Sequence, residues 1–439
     1  MRRRDFLGRA AALAAVAPLA TGPFARFASA QPAPLRANGA RVNGWLAQMD
    51  SIGRTPGGIN RVAYSEGDLA GRAFAMDLYR QAGLTPRIDA AGNIVGRLEG
   101  SAPTLAPIVI GSHVDSVTDG GNFDGPLGSF AALEVALSLR EQGIRLRHPL
   151  EVVVWSNEEG GTIGSKIAVG DTAAVDLDAM ARSGKTIREG IGLVGGDVTR
   201  LHSAVRPKGS AACYLELHIE QGGQLDQLGV QIGVVEGIVG LRWMEVVVEG
   251  FANHAGATPM DQRHDAVLAA ARFTVAVNEA INSEPGRQVA TVGRVIPMPN
   301  TRNVIAGRVE LTVDVRDLDA SKVQRFADRF RQLGREIGEA SGTTFTFRDM
   351  TSSAPAISHA GLMDVVEAGA EALGLTHQRM PSGAGHDAQE LAAICPIVMI
   401  FVPSVGGISH SPKEFTKPGD VANGVDVLLN AVASADARF

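Results

Sequence analysis

Four short segments, spread over most of the chain, carry side chains that bind divalent cations. Gly111-Ser112-His113-Val114-Asp115 runs on through Gly120-Gly121-Asn122-Phe123 to Asp124-Gly125, and Ser156-Asn157-Glu158-Glu159-Gly160 comes next. Glu216-Leu217-His218-Ile219-Glu220-Gln221-Gly222 and Ser409-His410-Ser411-Pro412 complete the set. Imidazole nitrogen and carboxylate oxygen are ligands of Zn²⁺ and similar ions. Three imidazoles and two carboxylates are too many for one tetrahedral ion, but they suit two ions that share a bridging carboxylate. Two such ions, about 3.5–4 Å apart, hold a bridging water, lower its pKa from about 15.7 towards 7 and polarise the carbonyl it attacks. Two carboxylates and a hydroxide leave one positive charge of the pair uncancelled, which favours a developing oxyanion.

Each segment follows a short apolar run, at residues 108–110, 152–155, 214–217 and 397–402. Such runs, alternating with helical patterns like 129–140, predict an α/β fold with a mostly parallel sheet flanked by helices. Ligands in such sheets bind beyond the carboxyl ends of the strands, so four loops distant in sequence can converge on one crevice. The middle of the chain changes character. Residues 239–249 alternate apolar and polar, a helix follows at 265–281, strands at 289–295 and 308–315, a helix at 321–340 and a strand at 344–348. This is the βαββαβ order of a ferredoxin-like unit. With 439 residues, of which 45% are hydrophobic, two domains are expected. The layout is a catalytic domain built from residues 31–237 and 353–439, interrupted by an inserted α+β unit at 238–352.

Residues 1–30 read as an address. Arg3-Arg4-Asp5-Phe6-Leu7, the apolar run 11–20 and Ala28-Ser29-Ala30 follow the order of a cleaved leader and resemble a twin-arginine export signal. This predicts a periplasmic product. No other apolar stretch approaches the roughly 20 residues that span a bilayer, so no membrane partner is expected after cleavage. A net charge of −6 gives no basic footprint for nucleic acid. Cys213 and Cys395 sit in apolar runs and read as core thiols, with a disulfide permitted but not implied.

The motifs resemble the amidase branch of the dinuclear-zinc peptidase superfamily that includes aminoacylases, specifically N-carbamoyl-L-amino acid hydrolases, allantoate amidohydrolases and β-ureidopropionases. The resemblance covers nearly the whole mature chain. His-x-Asp, Gly-Gly-x-Phe-Asp-Gly, Asn-Glu-Glu-Gly, Glu-Leu-His-Ile-Glu-Gln-Gly, His-Ala-Gly-Ala-Thr-Pro-Met and Gly-Ala-Gly-His-Asp-Ala occur in that family's order. It implies two divalent ions per subunit, Zn²⁺ foremost, with Mn²⁺, Co²⁺ or Ni²⁺ as alternatives. Asp124 would bridge them, His113 and His218 complete one site, and Glu159 and His410 the other. Glu158 would be the general base, and Asp115 would fix the ring of His113. In the inserted unit, Asn303 and Arg316 would grip a substrate carboxylate, and His254 would reach the neighbouring subunit of a homodimer to stabilise the oxyanion. Gln221 is read as a contact for the ureido group. Gly385, within residues 383–387, would line the pocket through backbone amides, while His386 receives no role.

The implied activity is hydrolysis of a linear amide C–N bond in a small N-carbamoyl or ureido carboxylate. An aminoacylase or dipeptidase is the alternative, because peptidase relatives often place a carboxylate where His218 falls. A metal-dependent binding protein without catalysis could dispense with Glu158, which this sequence keeps. Plainer readings exist too. Asp115 could cap a turn, Arg316 could pair with Asp314 or Asp317 on an exposed strand, and His148, His202, His264, His359 and His377 carry no assignment.

Overall fold

A computed structural model describes residues 33–439; the leader expected at 1–30 lies outside the described residues. At its centre is a nine-stranded sheet. Its order runs Arg87–Ile88, Ile94–Leu98, Leu150–Trp155, Ile108–His113, Cys213–Ile219, Ile397–Val402, Ile232–Ile238 and Ala356–Ile357, with His377–Ser382 also pairing to Ile232–Ile238. The strands that carry the motif loops are parallel to one another: Ile108–His113 with Leu150–Trp155 and with Cys213–Ile219, and Cys213–Ile219 with Ile397–Val402. Their carboxyl ends therefore open on the same edge.

These four strands are buried along their whole length, as parallel strands covered on both faces should be. The pleat sorts their side chains. Ile108, Ile110, Val152, Val154, Leu215, Leu217, Val398 and Ile400 join one core with the helices Gly39–Met49, Pro126–Glu141, Ala360–Ala372 and Pro418–Arg438. Val109, Val153, Trp155, Tyr214, Met399 and Phe401 face the opposite core. Cys213 and Cys395 also fall in these two separate cores, and both are free thiols.

The helix Pro126–Glu141 is buried on nearly every side, as a helix packed across a sheet interior is. Pro126 at its start needs no N–H partner. Gly125 before it has φ 84°, and a Cβ there would lie 2.4 Å from the His113 ring. The turn that delivers Asp124 to His113 thus depends on a glycine.

The chain leaves the central sheet after Ile238 and rejoins it at Ala356, which pairs with Ile238. Between them lies a four-stranded antiparallel sheet in the order Thr344–Ser353, Gly240–Glu249, Arg308–Asp317, Val289–Met298. Two helices, Ala266–Ile281 and Ala320–Ser341, cover one face around Phe273, Phe326 and Phe330. Asp265 and Asp319 cap them by accepting the first free N–H groups. The βαββαβ order is as read from the alternation, with the last three strands running two to five residues further than expected. Pro34–Phe439 is one compact unit, and among the described residues no helix is long and apolar enough to cross a membrane.

Candidate metal centre

His113 closes its strand, and its ring is buried. Its Nε2 lies 3.6 Å from Asp124 Oδ1 and 3.7 Å from Glu158 Oε2. His218, near the end of the next parallel strand, places Nε2 3.2 Å from the same Asp124 Oδ1. His410 arrives after the last strand with φ 52° and sets its Nε2 3.2 Å from Asp124 Oδ2 and 3.5 Å from Glu159 Oε1. One oxygen of Asp124 thus serves His113 and His218, and the other serves His410. The ligand atoms fall into two triads, His113–Asp124–His218 and Asp124–Glu159–His410, each within 4.8 Å of one another.

The triads fit divalent cations on a further count. His218 Nε2 and Glu159 Oε1 are buried with no hydrogen-bond partner. Leaving such atoms unpaired costs about 1–3 kcal/mol each, and a cation held in each triad would satisfy the atom belonging to that triad. The other ring nitrogens are already held. His113 Nδ1 lies 3.1 Å from the Asp115 carbonyl oxygen and His218 Nδ1 2.9 Å from that of Ile219, which leaves Nε2 as the coordinating atom on each ring.

The charges press in the same direction. Burial pushes the Asp124 carboxyl up, but the three imidazoles around it outweigh burial and hold it well below its ordinary value. Burial lifts Glu158 well above the usual carboxylate range, with His113 opposing. Burial, and then the charge of Asp124, pushes Glu159 up to about 7. His410 is raised to about 9, chiefly by its hydrogen bond to Asp124. Positive charge is what this array of carboxylates demands.

Asp115 differs from its expected role. Its carboxylate stands 3.7 Å from His113 Nδ1, and the ring is oriented by the Asp115 backbone carbonyl instead. The carboxylate accepts the backbone N–H groups of Glu158 at 3.2 Å and Glu159 at 3.1 Å, tying the second motif loop to the first. Gln221, at φ 58°, donates Nε2 to Asp124 Oδ2 at 2.6 Å, and its Oε1 is buried without a partner.

The residues expected from the middle of the chain are not drawn into this cluster. His254 and Asn303 are exposed; His254 lies on a two-residue strand opposite Val304, and Asn303 lies in the turn just before Val304, its carbonyl accepting the Ala255 N–H. His254 Nδ1 accepts the N–H groups of Gly256 and Ala257, both at 3.1 Å, so its proton sits on the outward Nε2. Arg316 forms the ion pair with Asp314, at 2.8 Å, and donates Nη1 to the Gly383 carbonyl at 2.7 Å. It links the small sheet to the loop that carries Gly385.

Three further residues were given no role by the sequence reading. Glu414 Oε1 accepts the backbone N–H groups of Phe123 and Asp124, and Ser409 Oγ lies 2.9 Å from Glu414 Oε2 and 3.1 Å from Asp124 Oδ2. Glu414 stands four residues after His410, the one signal available. His386, for which the motifs suggest no role, is buried with its ring 4.5 Å from that of His218 and its Nε2 3.0 Å from Ser382 Oγ.

Against known proteins, residues 109–434 match the family model for peptidase family M20/M25/M40. The chain is 37% identical over 393 residues to an N-carbamoyl-L-amino acid amidohydrolase of Geobacillus stearothermophilus, covering 88% of this chain and 96% of that protein. It is 35% identical over 394 residues to the allantoate amidohydrolase of Escherichia coli K12, covering 87% and 94%. Among solved structures, an amidase of the hydantoinase/carbamoylase family from Burkholderia multivorans superposes with a TM-score of 0.84 at 37% identity, over 91% of this chain and 98% of that one. With a matching model over most of its length, the chain belongs to peptidase family M20/M25/M40.

Proposed function

We propose that this chain is an amidohydrolase that uses two divalent ions, Zn²⁺ foremost, to hydrolyse a C–N bond of a small ureido or N-carbamoyl carboxylate. The observation that carries the reading is the place of Glu158, whose carboxylate, with its side chain only 10% exposed, lies 3.7 Å from His113 Nε2 beside a cluster in which Asp124 turns one oxygen to each triad. The named relatives support the substrate class. The ions, held by His113, His218 and Asp124 on one side and by Asp124, Glu159 and His410 on the other, would supply a water of lowered pKa and a positive field at the carbonyl oxygen. Glu158, whose proton affinity burial raises, takes a proton from the attacking water and returns it to the departing nitrogen. A C–O bond forms at the ureido carbon and its C–N bond breaks. An amine and a carbamate result, and the carbamate decomposes to carbon dioxide and ammonia.

The remaining assignments belong to the same proposal. Residues 238–352 form a lid that also builds a homodimer, and 31–237 with 353–439 form the catalytic domain. Arg316, through the N–H donors that Asp314 and Gly383 leave free, grips the substrate carboxylate with Asn303, and Gly385 lines the pocket through backbone amides. Gln221 meets the ureido group, and His254 of one subunit donates Nε2–H to the oxyanion in the other. Residues 1–30 direct the enzyme to the periplasm. The test is a panel of N-carbamoyl-L-amino acids, allantoate, ureidopropionate, N-acetyl amino acids and dipeptides offered to metal-loaded enzyme while ammonia and amine are followed. Turnover confined to acetyl or peptide substrates would overturn the proposal.

A further inference from the structure

Two parallel strands deliver the imidazoles of the first triad, and the backbone ladder between them stops short of both. In Ile108–His113 and Cys213–Ile219, Ile108 pairs with Cys213, Val109 with Tyr214 and Ile110 with Leu215, and the pairing ends there, three residues before each histidine. Each strand keeps its other neighbour to the end. His113 pairs with Trp155, and Ile219 with Val402. The sheet therefore parts between His113 and His218, although both rings turn Nε2 towards the same oxygen of Asp124.

One buried side chain spans the parting. Glu216, fully buried, accepts the Ser112 hydroxyl at Oε1, 2.8 Å away, and its Oε2 lies 3.0 Å from the Tyr214 hydroxyl. Tyr214 Oη is also 3.0 Å from the Gly111 carbonyl oxygen and accepts the Trp155 Nε1–H at 3.0 Å. Ser112 precedes His113, Glu216 stands two residues before His218, and Trp155 ends the strand that leads to Glu158. Hydrogen-bonded side chains thus stitch three strands where backbone pairing is missing. The helix Pro126–Glu141 closes over the same place: a Cβ on Gly128 would lie 2.2 Å from the Leu217 carbonyl oxygen and 2.8 Å from Ser112 Cβ.

A Glu216 oxygen also falls within 4.8 Å of ring nitrogens of His218 and His386. Both of its oxygens are engaged by hydroxyls, so the residue is placed to hold strands rather than to coordinate. Burying a carboxyl group is costly in any core, and an apolar side chain would pack there without that cost. What the carboxyl adds is the link to Ser112. We infer that Glu216 is a positioning residue for the first metal site: by holding Ser112 across the break in the ladder, it fixes the spacing of His113 and His218. The inference rests on the proposed pair of ions.

Glu216→Leu and Glu216→Gln test it in the full-length protein through metal binding, which needs no substrate. In Glu216→Leu the affinity for one ion of the two should fall about 10–100-fold, the scale for losing a group that orients a ligand, while the other binds as in the parent. Glu216→Gln, which still offers a carbonyl oxygen to Ser112, should recover most of the difference. In a His113→Ala background, where the first site is already broken, Glu216→Leu should change nothing further. Ser112→Ala removes only the far end of the bridge; it should weaken the same ion and carries the test if Glu216→Leu does not fold. Two ions weakened alike, affinities unchanged in both Glu216→Leu and Ser112→Ala, or an effect of Glu216→Leu that persists without His113 would each overturn the inference. Selective loss of one ion, in an enzyme whose parent turns over nothing on the panel, would sink the proposed function and leave the brace standing.

Discussion

Glu414 Oε1 accepts the backbone N–H of Asp124 at 3.0 Å, so the residue whose two oxygens serve both triads is anchored from behind by a second, buried carboxylate. Glu414→Ala would leave the N–H groups of Phe123 and Asp124 unpaired and the bridging position loose. We expect metal affinity to fall about 10–100-fold, the usual scale for losing a group that orients a ligand, while Glu414→Gln, which keeps the accepting oxygen, loses less. Chelator competition with metal analysis measures this; equal affinity in both variants would remove Glu414 from the metal site.

Glu158→Gln should bind metal as the parent does and lose about 10²–10⁴-fold in kcat, the range for a positioned proton-transfer group. Metal content and turnover measured on one preparation decide it. Retained activity would mean that the base lies elsewhere.

Metal binding should expel protons. In the metal-free protein His410 titrates near 9 and Glu159 near 7, both above their ordinary values, so at pH 7 His410 is protonated and Glu159 partly so. Ligation needs a neutral imidazole and a carboxylate. Affinity should therefore drop as pH is lowered from 9 towards 6, with proton release at pH 7. Calorimetric titrations in buffers of different ionisation enthalpy read the protons directly, and a buffer-independent heat would contradict the prediction.

Arg316→Ala should raise KM for carboxylate-bearing substrates about 10- to 100-fold with little change in kcat, the equivalent of a charged hydrogen bond of about 1.5–3 kcal/mol. Should KM stay put, the pairing with Asp314 and Gly383 is the whole of its role.

The proposed reach of His254 across a dimer permits a complementation experiment. Each variant alone, Glu158→Gln or His254→Ala, should lose most of its activity. Mixed dimers of the two contain one site with both residues intact and should recover activity; no recovery on mixing would place His254 in its own subunit's site or outside catalysis.

The ligand loops were legible because each follows or belongs to a mainly apolar run and because imidazoles and carboxylates are scarce in buried turns. The strands Ile232–Ile238 and His377–Ser382 were not. The first holds Gly233, Gly237 and Glu236, and the second Arg379 and Pro381, so neither has the β-branched run of a central strand, and their places come from pairing with distant neighbours. Asp115 was legible as a residue of the site but not in its role, because accepting backbone N–H groups leaves no mark on sequence spacing. The same holds for Glu414, a backbone acceptor outside any motif. For Arg316 the plainer expectation, a pair with Asp314, is present, and the sequence alone could not supply the second contact to Gly383.

The strand Ile397–Val402 lies between Cys213–Ile219 and Ile232–Ile238 in the sheet, although the ribosome makes it long after both. Until it emerges, the earlier strands have a gap at their middle and His410 does not exist. Assembly is thus held open until residues 397–410 are made, and a chain that stops before His410 would be deprived of coordination rather than merely weakened.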